Sequence, residues 1–321
     1  SNKLELGLWL ESERMLHPVI DQVGVDTQNE VVKEEKRQRY DAPYGKLLKV
    51  LNENLFKVHP YKDENIGKME HLDAATLEEF MAYHKTYYGP NNAVLIVAGD
   101  IDTEETIGLV KKYFDEVPRG NEVVRNFPKE EPITENVRAI AYDNNIQIPM
   151  LLSSFRTPGF ATRDSYVLDM ISTYLSSGKS SVLYKKLVDD QKQALQTQVI
   201  NLGQVDYNIF AILALPLGDV SLDTLLVEIE EEIEKVQNDL ISERDHQKLL
   251  NKFESQFVNS NSSIAGIANS LARYYLLYGD VNLINKEIDI YRSISREEIR
   301  SVAKKYLSPN QRVDIEYLPG E

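Results

Sequence analysis

TLEEFMAYHKTYYGPNNAVLIVA (76–98) and SREEIRSVAKKYLSPNQRVDIEY (295–317) align without a gap at a constant offset of 219. Thr76 and Glu79 stand against Ser295 and Glu298, the Ser/Thr-x-x-Glu pattern of a capping box. Lys85 meets Lys304, Tyr87 meets Tyr306, Pro90 meets Pro309 and Asn91 meets Asn310; Val94 and Ile96 then meet Val313 and Ile315. Each copy reads as a capped amphipathic helix, a Pro-Asn turn and a buried strand. Helix caps recur by chance, but the turn and strand agree in phase as well, so we read the pair as an internal duplication. The second copy starts near residue 135. The offset then places the start of the first copy roughly 85 residues before Ser1. The chain opens at Ser1-Asn2, without Met, and runs straight into LELGLWLESERM, an amphipathic helix pattern. A preceding region is therefore expected to be missing.

Outward from the repeat, residues 3–16 read as helix, and 28–57 as a long helix or two, broken near Pro43. Residues 93–98 (AVLIVA) are expected as a buried strand. Asp102 with Glu105 opens a helix through Phe114, with Ile107, Val110 and Phe114 inward. Residues 118–134, with three prolines, read as an interdomain linker. Strands are expected near 137–142, 147–155, 195–203, 207–215 and 312–318. Helices are expected over 161–175, 180–190, 221–240, from 242, and over 264–278, 282–293 and 295–306. The acidic run 230–232 reads as a solvated helix face.

The 321 residues, 42% hydrophobic and 27% charged, are those of a globular protein of about two domains. The net charge of −15 disfavours nucleic acid and anionic membranes as partners. The absence of cysteine removes disulfides, thiolate nucleophiles and Cys-based metal sites, and suits an exported protein. No signal peptide or membrane span is read in the sequence.

The stretch QNEVVKEEKRQRYDAPYG (28–45) holds the one candidate ligand. On a helix, Val31, Val32 and Glu35 fall at i, i+1 and i+4, which puts Glu35 on the apolar side. Glu30 and Glu34 point toward water. A carboxylate on a buried stripe is costly unless it is paired or holds a metal. Glu35 is thus either a boundary residue or one built to meet something outside this chain.

The five histidines, His17, His59, His71, His84 and His246, fit neither His-Glu-x-x-His nor His-x-x-Glu-His. His84 and His59 read as packing residues, and His246 as solvent-facing. Gly178-Lys179-Ser180 lacks the upstream glycine of a phosphate loop, since position 173 is Thr. No Gly-x-Ser-x-Gly elbow or singled-out carboxylate pair is present, so no catalytic residue is assigned.

Taken together, WLESERM, NEVVKEEKRQRYDAPYG, FMAYHKTYYGPNNAVLIVAGD and KKYFDEVP resemble the pitrilysin/insulinase family of zinc peptidases. YDNNIQIPMLLSSFRTPGF, SSGKSSVLYKKLVDDQ and ISREEIRSVAKKYLSPNQRVDIEYL resemble its inactive repeat. The resemblance implies an α+β fold of two homologous domains, each a mainly antiparallel sheet with helices on one face. The division would be 1–117, the C-terminal part of an incomplete first (peptidase) domain; 118–134, a linker; and 135–321, an inactive repeat. It also implies zinc held by two histidines of an inverted motif and by a downstream glutamate. Glu35 matches that glutamate, with Glu34 next if the register slips by one.

The inverted motif is expected roughly 75–80 residues before Glu35, ahead of Ser1. The reading is a fragment of a zinc metalloendopeptidase, inactive by itself and without bound zinc. The alternative is a non-catalytic member that assembles with a catalytic or homologous subunit. A peptide is the implied substrate of the parent, with no substrate-binding residue to carry over. Homo-oligomerisation through the surface left by truncation and a periplasmic or extracytoplasmic location complete the expectations.

Overall fold

The computed structural model describes residues 3–320; Ser1, Asn2 and Glu321 lie outside the described residues. In chain order the elements are α1 (Leu4–Leu16), α2 (Gln22–Asp41), α3 (Leu47–Leu55), α4 (Met69–Ala74), α5 (Leu77–Tyr87) and α6 (Thr103–Phe114), then β1 (Val137–Asp143) and β2 (Met150–Pro158). They continue with α7 (Arg163–Ser176), β3 (Ala194–Leu202), β4 (Tyr207–Pro216), α8 (Leu222–Asn238), α9 (Glu243–Ser260), α10 (Ile264–Arg273), α11 (Leu283–Arg292), α12 (Arg296–Tyr306) and β5 (Arg312–Pro319). Contacts divide the chain into two units. One gathers Ser1–Gln38, Asn65–Phe127 and Ser260–Ile284; the other gathers Arg39–Glu64, Pro128–Asn259 and Asn285–Glu321.

The first unit is helical. Leu8 and Ser12 form the buried side of α1, and Glu5 ties that helix to α6 by accepting from Lys112 Nζ at 2.6 Å and Tyr113 Oη at 2.7 Å. α5 carries the capping box read from the sequence: Thr76 Oγ1 accepts from the Glu79 N–H, and the Glu79 carboxylate accepts from the Thr76 N–H. Thr76→Ala removes a cap that satisfies one of the orphan donors of the first turn. It is expected to lower the stability of this unit by about 1 kcal/mol, read by urea denaturation.

Past the turn at Pro90–Asn92, the strand expected at residues 93–98 does not form, and Leu95 is 44% exposed. A strand is stabilised by its neighbours' hydrogen bonds, and the described residues of this unit contain no other strand to supply them. Ile107 is likewise exposed, and Thr106 is the buried residue of α6.

The second unit is built on one five-stranded sheet, in the order β1-β5-β2-β4-β3. Only β1 runs parallel to its neighbour, β5; the other three pairings are antiparallel. The fold is thus α+β with a mainly antiparallel sheet. β4, YNIFAILALP, reads as an almost unbroken apolar run because both faces of the sheet are covered.

On one face, Leu152, Ile209, Ala211, Val313 and Ile315 pack against Leu51 and Leu55 of α3 and against Phe56. The opposite face holds Leu151, Phe155, Phe210 and Ile212, all buried. It meets α7, where Ser165 Oγ accepts from Asn208 Nδ2 at 2.8 Å, and α8, where Glu230 accepts from Arg312 Nη2 at 2.5 Å. The second copy of the repeat is realised in full here. Ser295 caps α12, Pro309–Gln311 forms a 3₁₀ turn as Pro90–Asn92 does, and β5 follows between β1 and β2.

Candidate functional site

Within its unit, α2 presents Val25, Asn29, Val32 and Lys36, spaced i, i+4, i+7 and i+11. Asn29 Nδ2 donates to the Leu72 carbonyl at 3.1 Å, and Lys36 Nζ donates to the carbonyl of Gly67, which has φ +80°. Lys33 pairs with Asp73 at 2.5 Å and Glu30 at 2.7 Å. Glu35 lies outside this face and is exposed, as is Val31 at 54%. The expectation of an inward Glu35 is therefore corrected. The packed face follows polar residues that reach carbonyls of the 65–74 segment, and the two adjacent valines do not define it. Glu34 is exposed too, and is engaged by Arg37 Nη1 at 3.2 Å and Gln38 Nε2 at 3.4 Å.

The histidines are dispersed. His17 bonds Glu13 at 2.8 Å, and His84 stacks on Tyr88 at 4.9 Å. His59 is buried: its Nδ1 accepts from the Tyr61 N–H at 3.2 Å, and its Nε2 lies 3.3 Å from Asp206 Oδ2. His246 is half-buried with a ring nitrogen 2.8 Å from the Ile294 carbonyl, which corrects the solvent-facing reading. Among the described residues no three of His, Cys, Asp and Glu stand together as metal donors. A zinc site needs at least three protein ligands. The donors present among the described residues do not fit a complete zinc centre, to which Glu35, an exposed residue of α2, would bring a single carboxylate.

Sequence reasoning missed a charged cluster in the second unit. Glu130 Oε1 accepts from three successive backbone N–H groups, those of Lys57, Val58 and His59, at 2.8, 2.8 and 2.7 Å. Its Oε2 pairs with Arg156 Nη1 at 3.1 Å, with both side chains buried. Arg156 also donates to the carbonyls of Leu55 and Glu131, and it lies 5.6 Å from the Tyr207 ring and 6.0 Å from that of Phe56. Burial pushes the Glu130 pKa up, but the three N–H donors and Arg156 outweigh it and hold the carboxyl below its ordinary value. The cluster borders a pocket of about 350 Å³ shared with Pro132, Asp206, Tyr207, Tyr306 and Gln311. No local signal marks Glu130, because its backbone partners lie 71 to 73 residues away.

The acidic run on α8 is also corrected. Glu232 is buried, and Lys186 Nζ sits 2.8 Å from both Glu228 and Glu231 and 3.1 Å from Glu232. Glu230 reaches the buried Arg312, which also pairs with Asp314 at 2.8 Å. The run neutralises two cations that the fold brings inward. Burial would lower the Lys186 pKa, but the three carboxylates raise it well above the ordinary lysine value.

Residues 74–253 match the family model described as the peptidase M16 inactive domain, which is more than half of the chain. The chain belongs to the peptidase M16 family. The pitrilysin/insulinase resemblance read from the sequence therefore holds. Among M16 relatives, the zinc protease PqqE of Helicobacter pylori is 27% identical over 291 residues, covering 90% of this chain; this chain spans 65% of that relative's length. A protease structure from Helicobacter pylori superposes with a TM-score of 0.90 at 25% identity, over 98% of this chain and 77% of its own.

A peptidase M16 inactive domain from Pseudomonas fluorescens gives 0.86 at 15% identity, over 100% and 76%. The periplasmic protease PqqL of Escherichia coli gives 0.80 at 14% identity, over 98% and 36%. The last two show the shared fold. Among the described residues no helix is long and apolar enough to cross a membrane.

Proposed function

We propose that this M16 chain is the part of a zinc metalloendopeptidase that supplies the third zinc ligand, Glu35, and the inactive repeat. The two histidines and the general base would come from a His-x-x-Glu-His segment outside these 321 residues. The observation that carries the reading is the M16 inactive-domain match in a sequence without that motif. The exposure of Glu35 supports it, since a ligand completed from elsewhere must be reachable. The relative named a zinc protease supports the metal and the chemistry. Zinc, when bound, would polarise a peptide carbonyl and lower the pKa of a bound water.

The same proposal divides the chain by ancestry into 1–117 of a first repeat, a 118–134 linker and a 135–321 inactive repeat. It places the parent outside the cytoplasm, as the periplasmic PqqL is. It also has the chain self-associate, supported by Leu6, Trp9 and Leu10 exposed together on α1. Size-exclusion chromatography that shows only monomer would remove that part.

A second reading, a non-catalytic subunit, is favoured by the inactive-domain description itself. One assay separates the two. The purified chain with zinc is expected to leave an unfolded peptide intact. Adding an M16 polypeptide that carries His-x-x-Glu-His but lacks its own downstream glutamate is expected to start zinc-dependent cleavage. Cleavage by the chain alone overturns the assignment of inactivity. Silence of the mixture, with complex formation confirmed, overturns the ligand-supplying role and leaves the non-catalytic subunit.

A further inference from the structure

The sequence around Gly178-Lys179-Ser180 is not a phosphate loop, yet the fold sets two lysines over it. Lys248 and Lys252 stand one turn apart on α9, on one side of the helix. Lys248 Nζ donates to Ser180 Oγ at 2.7 Å and to the Ser180 carbonyl at 3.2 Å; Lys252 Nζ donates to Ser177 Oγ. In a chain of net charge −15, the partners seen for these two ammonium groups among the described residues are serine oxygens. The contrast is Lys186 nearby, which three glutamates neutralise. Both lysines line a pocket of about 360 Å³ together with Lys185, Ser177, Ser180 and Tyr174.

Asp190 and Asp245 also border the pocket. Asp245 is turned to Ser242, whose hydroxyl donates to it at 2.6 Å. Lys252 is half-buried, and burial together with the positive field of Lys248 pulls its pKa down. Two neighbouring ammonium groups, each on its own serine hydroxyl and repelling the other, are short of negative charge. A doubly charged oxyanion supplies it and accepts from both amines and both serines.

We propose that this pocket binds the phosphoryl group of a phosphate monoester. The volume exceeds what one tetrahedral anion fills and falls in the small-ligand range of about 300–1,000 Å³, leaving room for the esterified group. The site is independent of the zinc reading, and neither failure touches the other.

Isothermal titration of the full 321-residue chain tests it, using inorganic phosphate, O-phospho-L-serine and acetate at constant ionic strength. Phosphate and phosphoserine are expected to bind saturably, the ester at least as tightly, with acetate weaker by about tenfold or more. K248Q/K252Q, its fold checked by circular dichroism, is expected to weaken both phosphoryl ligands by at least about tenfold. S177A is a milder second variant that keeps both charges, and a smaller loss is expected. No saturable binding by the wild type overturns the site. Equal binding by K248Q/K252Q, or by acetate, overturns its assignment to phosphoryl recognition by the lysine pair. Binding of phosphate with exclusion of phosphoserine overturns the monoester.

Discussion

Glu130→Gln is expected to destabilise the sheet unit by about 3–5 kcal/mol, the cost of leaving one partner of a buried ion pair alone. The substitution is nearly isosteric, and the geometry explains why it still hurts. The amide oxygen can take the place of Oε1, which accepts from Lys57, Val58 and His59. The amide nitrogen then faces Arg156, where the carboxylate oxygen had accepted at 3.1 Å. Two donors then confront each other where both side chains are buried. Arg156→Met removes the charge instead and is expected to cost less in the Glu130→Gln background than in the wild type. A double-mutant cycle reads that coupling, and additive losses would show that the pair is not the unit of stability.

Acid pH gives a second check on the same pair. The Glu130 carboxyl is held below its ordinary pKa in the folded state. Its contribution is therefore fully present above the unfolded carboxylate value and lost as pH falls through the depressed folded value. The stability gap between wild type and Glu130→Gln is expected to shrink on acidification through that window in urea titrations. A gap independent of pH would show that the carboxylate's charge is not what stabilises the cluster.

What the sequence revealed and what it hid follow one physical line. Periodicity and caps depend on neighbours in the chain, and they placed the helix starts at Thr76, Asp102, Ser221 and Ser295. Strand β4 carries a nearly unbroken apolar run because both sheet faces are covered, whereas β5 alternates Val313, Ile315 and Tyr317 with Arg312, Asp314 and Glu316. Residues 93–98 carry the same kind of run but form no strand, since strand formation depends on pairing that a local pattern does not encode. Glu130, Lys186 and Arg312 were invisible for a related reason: their partners arrive from distant segments. Glu35 failed differently. The valines beside it argued for burial, but Asn29 and Lys36, polar at their tips, are the residues that turn inward. Long polar side chains can define a packed face when backbone carbonyls wait at its far side.

That outward turn makes Glu35 the sharpest test of the proposed function. In the mixture of this chain with a His-x-x-Glu-His polypeptide, Glu35→Gln is expected to lower zinc affinity and peptide cleavage by at least about 100-fold. Losing even an outer partner of a zinc ligand costs about 10–100-fold, and a ligand itself should cost no less. The amide keeps the size of the side chain but not the charge that zinc recruits. Because Glu35 is exposed, the folding stability of the chain is expected to change by no more than about 0.5 kcal/mol, which separates a lost ligand from a lost fold. Glu34→Gln is the register control. Its carboxylate is already engaged by Arg37 and Gln38 on the helix surface, and its loss is expected to leave cleavage near the wild-type rate. If Glu34→Gln abolishes cleavage while Glu35→Gln does not, the ligand is the neighbouring residue. If neither variant changes zinc affinity, α2 holds no metal ligand, and the sequence resemblance of this stretch reflects the helix alone.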